Sequence, residues 1–252
     1  MTTPHRIAVL GNSHVGALKS GWDRIHANYD NVEITFFAAR AAKMLGMLPN
    51  GDRLTPESEN LANFIAFTSG GPTEVVASDH DIFVIHGMGL KLRQALCRGQ
   101  PGLSAAVCAA IFRDTVLSNN AMIMASRLRQ IGASPIMISH NPLPTARNED
   151  VNETEDYNTV ANRLEAALGE EDFSLIRVPD VLCKGLTTPQ SFSVGSERLA
   201  MCEKQVGVRH GDEEHLHMNA DWGEIWMRHF LNSLNLPRIR SVPKTGITEK
   251  GA

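Results

Sequence analysis

Residues 7–18 read IAVLGNSHVGAL. The apolar run Ile7–Leu10 is typical of a short strand that is buried on both faces, and a polar turn separates it from a second apolar group that starts at Val15. A strand that runs directly into a helix is the unit of an open parallel sheet, and ligands bind beyond the carboxyl ends of its strands. The stretch therefore predicts an α/β fold with Ser13 at the ligand-binding edge.

Four further apolar runs of strand length follow the first one. They are Val32–Phe37, Asp81–His86, Pro135–Ser139 and Phe173–Val178. Segments with helical spacing lie between or after them: Ser20–Asn28, Ser104–Ile131 with an interruption near 118–120, a segment ending near Leu168, and Ala220–Leu234. This alternation predicts a three-layer α/β/α sandwich around a doubly wound parallel sheet of about five strands.

Two stretches fall outside this alternation. Leu48–Ser78 is interrupted repeatedly by proline and glycine, which predicts an irregular insertion; we expect it to shape substrate specificity together with the turn Gly99–Ser104. Residues 237–252 are polar and poor in large apolar groups, which predicts a flexible C-terminal tail. No shift in composition divides the rest, so we expect residues 1–236 to form one domain.

The composition limits the kinds of partner. A net charge of −4 gives no general electrostatic case for binding nucleic acid or anionic membranes, which leaves a small molecule as the expected ligand. The four cysteines form no C-x-x-C pair, so neither a disulfide framework nor a zinc knuckle is indicated. The N-terminal residues lack the pattern of a secretory leader, which favours a cytoplasmic location. The oligomeric state is left open.

Ser13 has two possible roles. A serine at the start of a helix can be an ordinary N-cap residue. It can also be a nucleophile, because the positive end of the helix dipole stabilises both its alkoxide and the oxyanion that its attack generates. Its neighbours Asn12 and His14 are then expected to contact substrate as well.

Residues 210–219, HGDEEHLHMN, form the densest group of ionisable side chains. Asp212 and His215 stand three residues apart, as do Glu214 and His217. In either pair the histidine could take the proton from a serine hydroxyl while the carboxylate orients the imidazole. Spacing alone does not choose between the two pairs.

Two alternatives compete for the same segment. His210, Asp212, His215 and His217 could instead bind zinc and support a metal-dependent hydrolase. The segment could also be an exposed acidic loop without chemistry. Two more histidines, His86 and His140, end the third and fourth strands and are expected at the rim of the same cleft.

At both ends the chain resembles the SGNH, or GDSL-like, serine hydrolases, whose fold is a flavodoxin-like three-layer sandwich. Gly11-Asn12-Ser13 is similar to the family's Gly-Asp-Ser motif after the first strand. Asp212-Glu213-Glu214-His215 has the form of its C-terminal Asp-x-x-His motif. His217-Met218-Asn219, however, is more similar to the family's continuation after the histidine, so the resemblance favours His217 slightly over His215.

The middle of the chain departs from the family pattern. The second strand ends in Ala38-Ala39-Arg40 where the family has a glycine, although the backbone N–H near Ala39 could still donate to an oxyanion. Gly87 stands where the family has an oxyanion-hole asparagine, and losing such a donor typically lowers the rate on the order of 100-fold to 1,000-fold. Asn141 is our candidate for the missing side-chain donor, with Gly87 as the other candidate for holding the oxyanion, and Arg40 is a candidate for binding an anionic substrate.

The sequence thus predicts a hydrolase of a small acyl or acetyl ester that works through an acyl-serine intermediate. Ser13 is the nucleophile, His217 or His215 the base, and Asp212 or Glu214 the orienting carboxylate. This chemistry requires no cofactor and no metal. The alternatives are a non-catalytic or weakly active binding protein on the same fold and the metal-dependent hydrolase.

Overall fold

The computed structural model describes residues 4–95, 102–145, 156–211 and 213–236. In chain order the strands are β1 (His5–Gly11), β2 (Val32–Ala38), β3 (Met47–Asn50), β4 (Arg53–Pro56), β5 (Val75–Val76), β6 (Ile82–His86), β7 (Ile136–Ser139) and β8 (Ser174–Leu175). The helices are α1 (Val15–Ile25), α2 (Glu59–Ser69), α3 (Leu92–Ala95), α4 (Ala105–Leu117), α5 (Asn120–Gln130), α6 (Tyr157–Gly169) and α7 (Ala220–Ser233).

The central sheet has five parallel strands in the order β2-β1-β6-β7-β8, and helices flank it. The prediction of a three-layer α/β/α fold is confirmed. β1 lies between β2 and β6, so the chain first winds towards one edge of the sheet and then towards the other. With right-handed crossovers, this places α1 on the opposite face from α5 and α6.

The register of the sheet aligns the ends of four strands. Gly11 pairs with Ala38 on one side and His86 on the other, and His86 pairs with Ser139. The residues that follow these strands therefore emerge side by side at one edge of the sheet, where the N-terminus of α1 also lies.

Two glycines allow α1 and α7 to pack backbone against backbone. A Cβ atom on Gly223 would lie 1.8 Å from the carbonyl oxygen of Ala17, and one on Gly21 would lie 2.3 Å from the backbone nitrogen of Glu224. This close approach fixes the start of α7, and with it the segment that carries His217, beside the start of α1.

We expect Gly223→Ala to destabilise the fold by about 1–3 kcal/mol or more, because the added methyl group meets backbone atoms that cannot move independently. Urea unfolding measures the change. Gly169→Ala is the matched control, since no atom lies within 4 Å of its Cβ position and alanine favours a helix. Equal stability of the two variants would contradict the close packing of the helices.

The expectation of an irregular insertion over Leu48–Ser78 is wrong. The segment contributes to an antiparallel sheet in the order β3-β4-β5 and contains α2. Ser58 caps this helix by accepting a hydrogen bond from the backbone N–H of Leu61, and Gly70 ends it with a φ of 78°. Ser58 and Gly70 indicate the two ends of this helix in the sequence. Pro49 and Pro56 lie within β3 and β4, and because proline is unusual in strands the sequence did not predict them.

Other boundaries differ in smaller ways. The first helix begins at Val15 rather than Ser20 and continues as a 3₁₀ turn to Asn28, because Val15 and Leu18 are buried against the sheet. The predicted interruption near 118–120 is confirmed, since α4 and α5 are separate helices. β8 is only two residues long.

Some expectations fall outside the described residues: the tail at 237–252, Asp212, and the first part of the Gly99–Ser104 turn. Within the described part of the chain, no helix has the length and apolar character needed to cross a membrane. Cys108, Cys183 and Cys202 form no disulfide.

Candidate active site

Ser13 and His217 meet at the carboxyl edge of the sheet. Ser13 lies in the tight turn between β1 and α1, and its Oγ is 2.9 Å from Nε2 of His217. This distance is within the range for a nucleophile and its general base. His215 does not take this position; its backbone carbonyl accepts a hydrogen bond from the N–H of Thr145.

The start of α7 holds His217 in place. Asn219 caps the helix, with its Oδ1 accepting hydrogen bonds from the backbone N–H groups of Asp221 and Trp222. Its Nδ2 donates to the carbonyls of Ser191 and Val194 in the long segment before the helix. One side chain therefore connects the histidine turn to both α7 and the segment preceding it.

Glu214 stands behind His217. One carboxylate oxygen, Oε2, lies 3.2 Å from Nδ1 of His217, an ion-pair distance at which the N–H is not aligned for a hydrogen bond. The other, Oε1, accepts hydrogen bonds from the backbone N–H groups of His215, Leu216 and His217. Burial opposes ionisation of Glu214, but these N–H groups and His217 outweigh it and lower its pKa to about 2. Glu214 is therefore ionised at neutral pH.

His217 lies in a stack of three imidazole rings. His210 stacks on one face at a centroid distance of 4.2 Å, and His14 lies on the other at 4.9 Å. Nδ1 of His210 is 3.1 Å from Oε2 of Glu214, so two histidines share one carboxylate oxygen. Burial, followed by repulsion from His217, lowers the pKa of His14 to about 3, so this ring is neutral.

Asn141 links the histidine stack to the neighbouring strand ends. Its Nδ2 donates to Nε2 of His14 at 2.9 Å, and its Oδ1 accepts from the N–H of Gly89 at 3.0 Å. The side chain thus orients His14 and the loop after β6. Its two ends are already engaged in these contacts, which differs from the expectation that it points towards an oxyanion.

Gly87 leaves space that two other side chains fill. Its φ is 79°, and a Cβ at this position would lie 2.9 Å from Oδ1 of Asn12 and 3.2 Å from Cδ2 of His14. Asn12 and His14 therefore occupy the volume next to Gly87, the position at which the family pattern has an asparagine. Oδ1 of Asn12 also accepts a hydrogen bond from the backbone N–H of His14.

The residues after β2 are placed differently from our expectations. The N–H of Ala39 donates to the carbonyl of Gly11, so it is not directed at an oxyanion. The Arg40 guanidinium donates through Nε and Nη2 to the carbonyl of Leu199, at 2.9 and 2.6 Å. Arg40 thereby anchors the long segment before α7 instead of presenting those two N–H groups to a substrate.

His86 and His140 lie below the site rather than at its rim. His86 is fully buried against Trp222 and Trp226, and burial holds its pKa well below the usual value. His140 is also fully buried; it contacts the carbonyl of Asn141 and the hydroxyl of Tyr157. We therefore assign both to the core, which corrects the inclusion of His86 among the substrate-binding residues.

His210, Glu214 and His217 offer three ligand atoms that lie within 4.8 Å of one another. A metal ion must lie close to the plane of each imidazole that binds it, because the nitrogen lone pair lies in that plane. The planes of His210 and His217 are only 15° apart, so they do not converge on a point near both rings. The stack as it stands does not favour a metal centre, and Asp212 lies outside the described residues.

No family model matches the chain, and no curated protein matches it. Among solved structures, the chain is similar to a carbohydrate esterase whose active site is described as displaying divergent catalytic and non-catalytic binding functions. The two share 9% identity with a TM-score of 0.38, over 94% of this chain and 66% of that one. This chain therefore spans slightly less than two thirds of that neighbour.

Proposed function

We propose that the chain is a serine hydrolase that cleaves a small acyl or acetyl ester through an acyl-serine intermediate. The observation that carries this proposal is the 2.9 Å contact between the Ser13 hydroxyl and the His217 imidazole, with the Glu214 carboxylate 3.2 Å from the other ring nitrogen. A nucleophile, a base and an ionised carboxylate in this order form a catalytic triad by geometry and role.

Each of the three residues has a defined role in the proposed reaction. His217 takes the proton of Ser13 as the Oγ attacks the ester carbonyl, and then gives that proton to the leaving alcohol. Water, activated by the same imidazole, cleaves the acyl-serine bond and releases the acid. Glu214 stabilises the imidazolium that forms in both steps.

Backbone donors near Ser13 support stabilisation of the oxyanion. The N–H groups of Ser13 and Arg40 have no acceptor among the described residues, and Ser13 lies at the positive end of the 11-residue helix α1. Asn141 donates to His14, so it does not take the place of the family asparagine as a side-chain donor. We therefore expect a slower enzyme than one with three donors.

The SGNH-type assignment is part of this proposal. The nucleophile follows the first strand and the base precedes the last helix, with a flavodoxin-like strand order between them. These positions support the assignment.

A fluorophosphonate probe tests the nucleophile directly, because it reacts with activated serines. We expect covalent labelling of wild-type protein at Ser13, located by peptide mass spectrometry and unaffected by a metal chelator. Ser13→Ala should not be labelled, whereas Ser20→Ala, which changes a serine within α1 about two turns further along the chain, should be labelled like the wild type. Absence of labelling would favour a binding protein, and loss of labelling with chelator would favour the metal-dependent alternative.

A further inference from the structure

Basic side chains lie on both sides of the histidine stack. Lys91 directly follows Leu90, whose carbonyl accepts a hydrogen bond from the N–H of Asn141 at 2.8 Å. Asn141 in turn donates to His14. Lys91 therefore lies on the His14 side of the stack, and its side chain is exposed to solvent.

Arg198 and Arg40 lie on the other side. Arg198 directly precedes Leu199, the residue whose carbonyl binds the Arg40 guanidinium. The backbone N–H of Arg198 donates to the carbonyl of Val208, and the N–H of His210 donates to the carbonyl of Ser196. These two hydrogen bonds pair the segment around Arg198 with the segment that ends at His210, so Arg198 lies near the His210 side of the stack. Arg40 lies next to the same segment through its contact with Leu199.

These cations have no ion-pair partner in the part of the chain that the structure describes. No carboxylate among the described residues forms an ion pair with Arg198, Arg40 or Lys91, and Glu214 is already shared by two histidines. Among the charged residues that act most strongly on His14 and His210, every one besides Glu214 and the histidines themselves is basic. The protein as a whole carries a net charge of −4, so a generally basic composition does not explain these basic side chains.

We propose that the substrate carries an anionic oxygen group, such as a carboxylate, next to the ester, and that Arg198 binds it. No residue that the structure describes accepts a hydrogen bond from the Arg198 guanidinium, whereas Arg40 uses two of its donors on Leu199 and contributes its charge without those two donors. Lys91 adds to the positive field from the opposite side. This inference rests on the proposed function, because it names the substrate class of the same site.

The test compares two acetyl esters that differ in charge, 4-acetoxybenzoate and 4-acetoxybenzamide, through the ratio of their kcat/KM values. In the wild type at low salt we expect the ratio to favour the anion. Arg198→Ala should lower the ratio by about three- to fivefold, the effect of one solvent-exposed charge pair, and Lys91→Ala should lower it less. Salt at about 0.5 M should reduce the preference, because it screens charges beyond a few ångströms.

Lys184→Ala is the matched control, because Lys184 is exposed, forms no ion pair with the residues that the structure describes, and should leave the ratio unchanged when replaced. A wild-type ratio that does not favour the anion, or one that Arg198→Ala leaves unchanged, overturns the inference while labelling of Ser13 still supports the hydrolase. If neither ester is cleaved, calorimetry on Ser13→Ala protein decides: tighter binding of 4-hydroxybenzoate than of 4-hydroxybenzamide supports anion recognition, and equal binding overturns it.

Discussion

Replacing His217 with alanine is expected to lower kcat for a short ester by at least about 10⁴-fold, because the triad then loses the group that moves the proton in both half-reactions. His215→Ala is expected to lower kcat by less than about fivefold. The two residues lie two positions apart in the same turn, but only His217 directs its Nε2 at Ser13. Steady-state kinetics on both variants separates the two candidates.

Folding must be checked before this comparison is interpreted. His217 is packed between His14 and His210, so alanine leaves a gap in the stack. His217→Gln keeps part of the volume and cannot act as a base, so it should be as inactive as the alanine variant with smaller effects on stability. If His215→Ala lost activity and His217→Gln kept it, the assignment of the base would be wrong.

The sequence predicted the sheet because its strands are continuous apolar runs that no helix pattern resembles. It also predicted that Ser13 and the histidine turn would meet, since both lie at the carboxyl edge of that sheet. Spacing did not choose between His215 and His217, and the family resemblance favoured His217 only slightly. Neighbouring side chains in a tight turn point in different directions, and here Glu214 sets the direction by drawing three successive backbone N–H groups to one oxygen.

The surroundings of the site were harder to predict because they depend on contacts between distant segments. The sequence offered Arg40 as an anion site, but the carbonyl that binds its guanidinium belongs to Leu199, which lies 159 residues away. The sequence predicts that the N–H of Ala39 is available, but this N–H donates to the carbonyl of Gly11, the residue that pairs with Ala38 at the end of the sheet. Such backbone acceptors leave no pattern in the residues themselves.

Lowering the pH from 7.5 to 5.5 is expected to reduce the free energy of unfolding by about 4 kcal/mol, through three buried histidines. Burial lowers the pKa of each: His14 to about 3, His140 to about 4, and His86 well below its usual value. The unfolded chain takes up these protons as the pH falls through about 6.5, and the folded chain does not. The contribution of each histidine to stability is therefore fully present above about pH 6.5. Below that pH, the free energy of unfolding falls by about 1.4 kcal/mol per pH unit for each histidine.

His86 provides the sharpest form of this test, because neither of its ring nitrogens has a hydrogen-bond partner among the described residues. His86→Leu replaces the ring with an apolar group of similar volume and should shrink the difference between the two pH values by about 1.4 kcal/mol, measured by urea unfolding. His86→Met is a second variant in case leucine packs poorly against Trp222 and Trp226. His26→Leu, at an exposed histidine, should keep the full difference. Glu214 contributes only at lower pH, because its stabilisation is lost as the pH falls from about 4.5 towards 2. An unchanged pH difference in both His86 variants would show that this imidazole takes up its proton in the folded protein over the same pH range as in the unfolded chain.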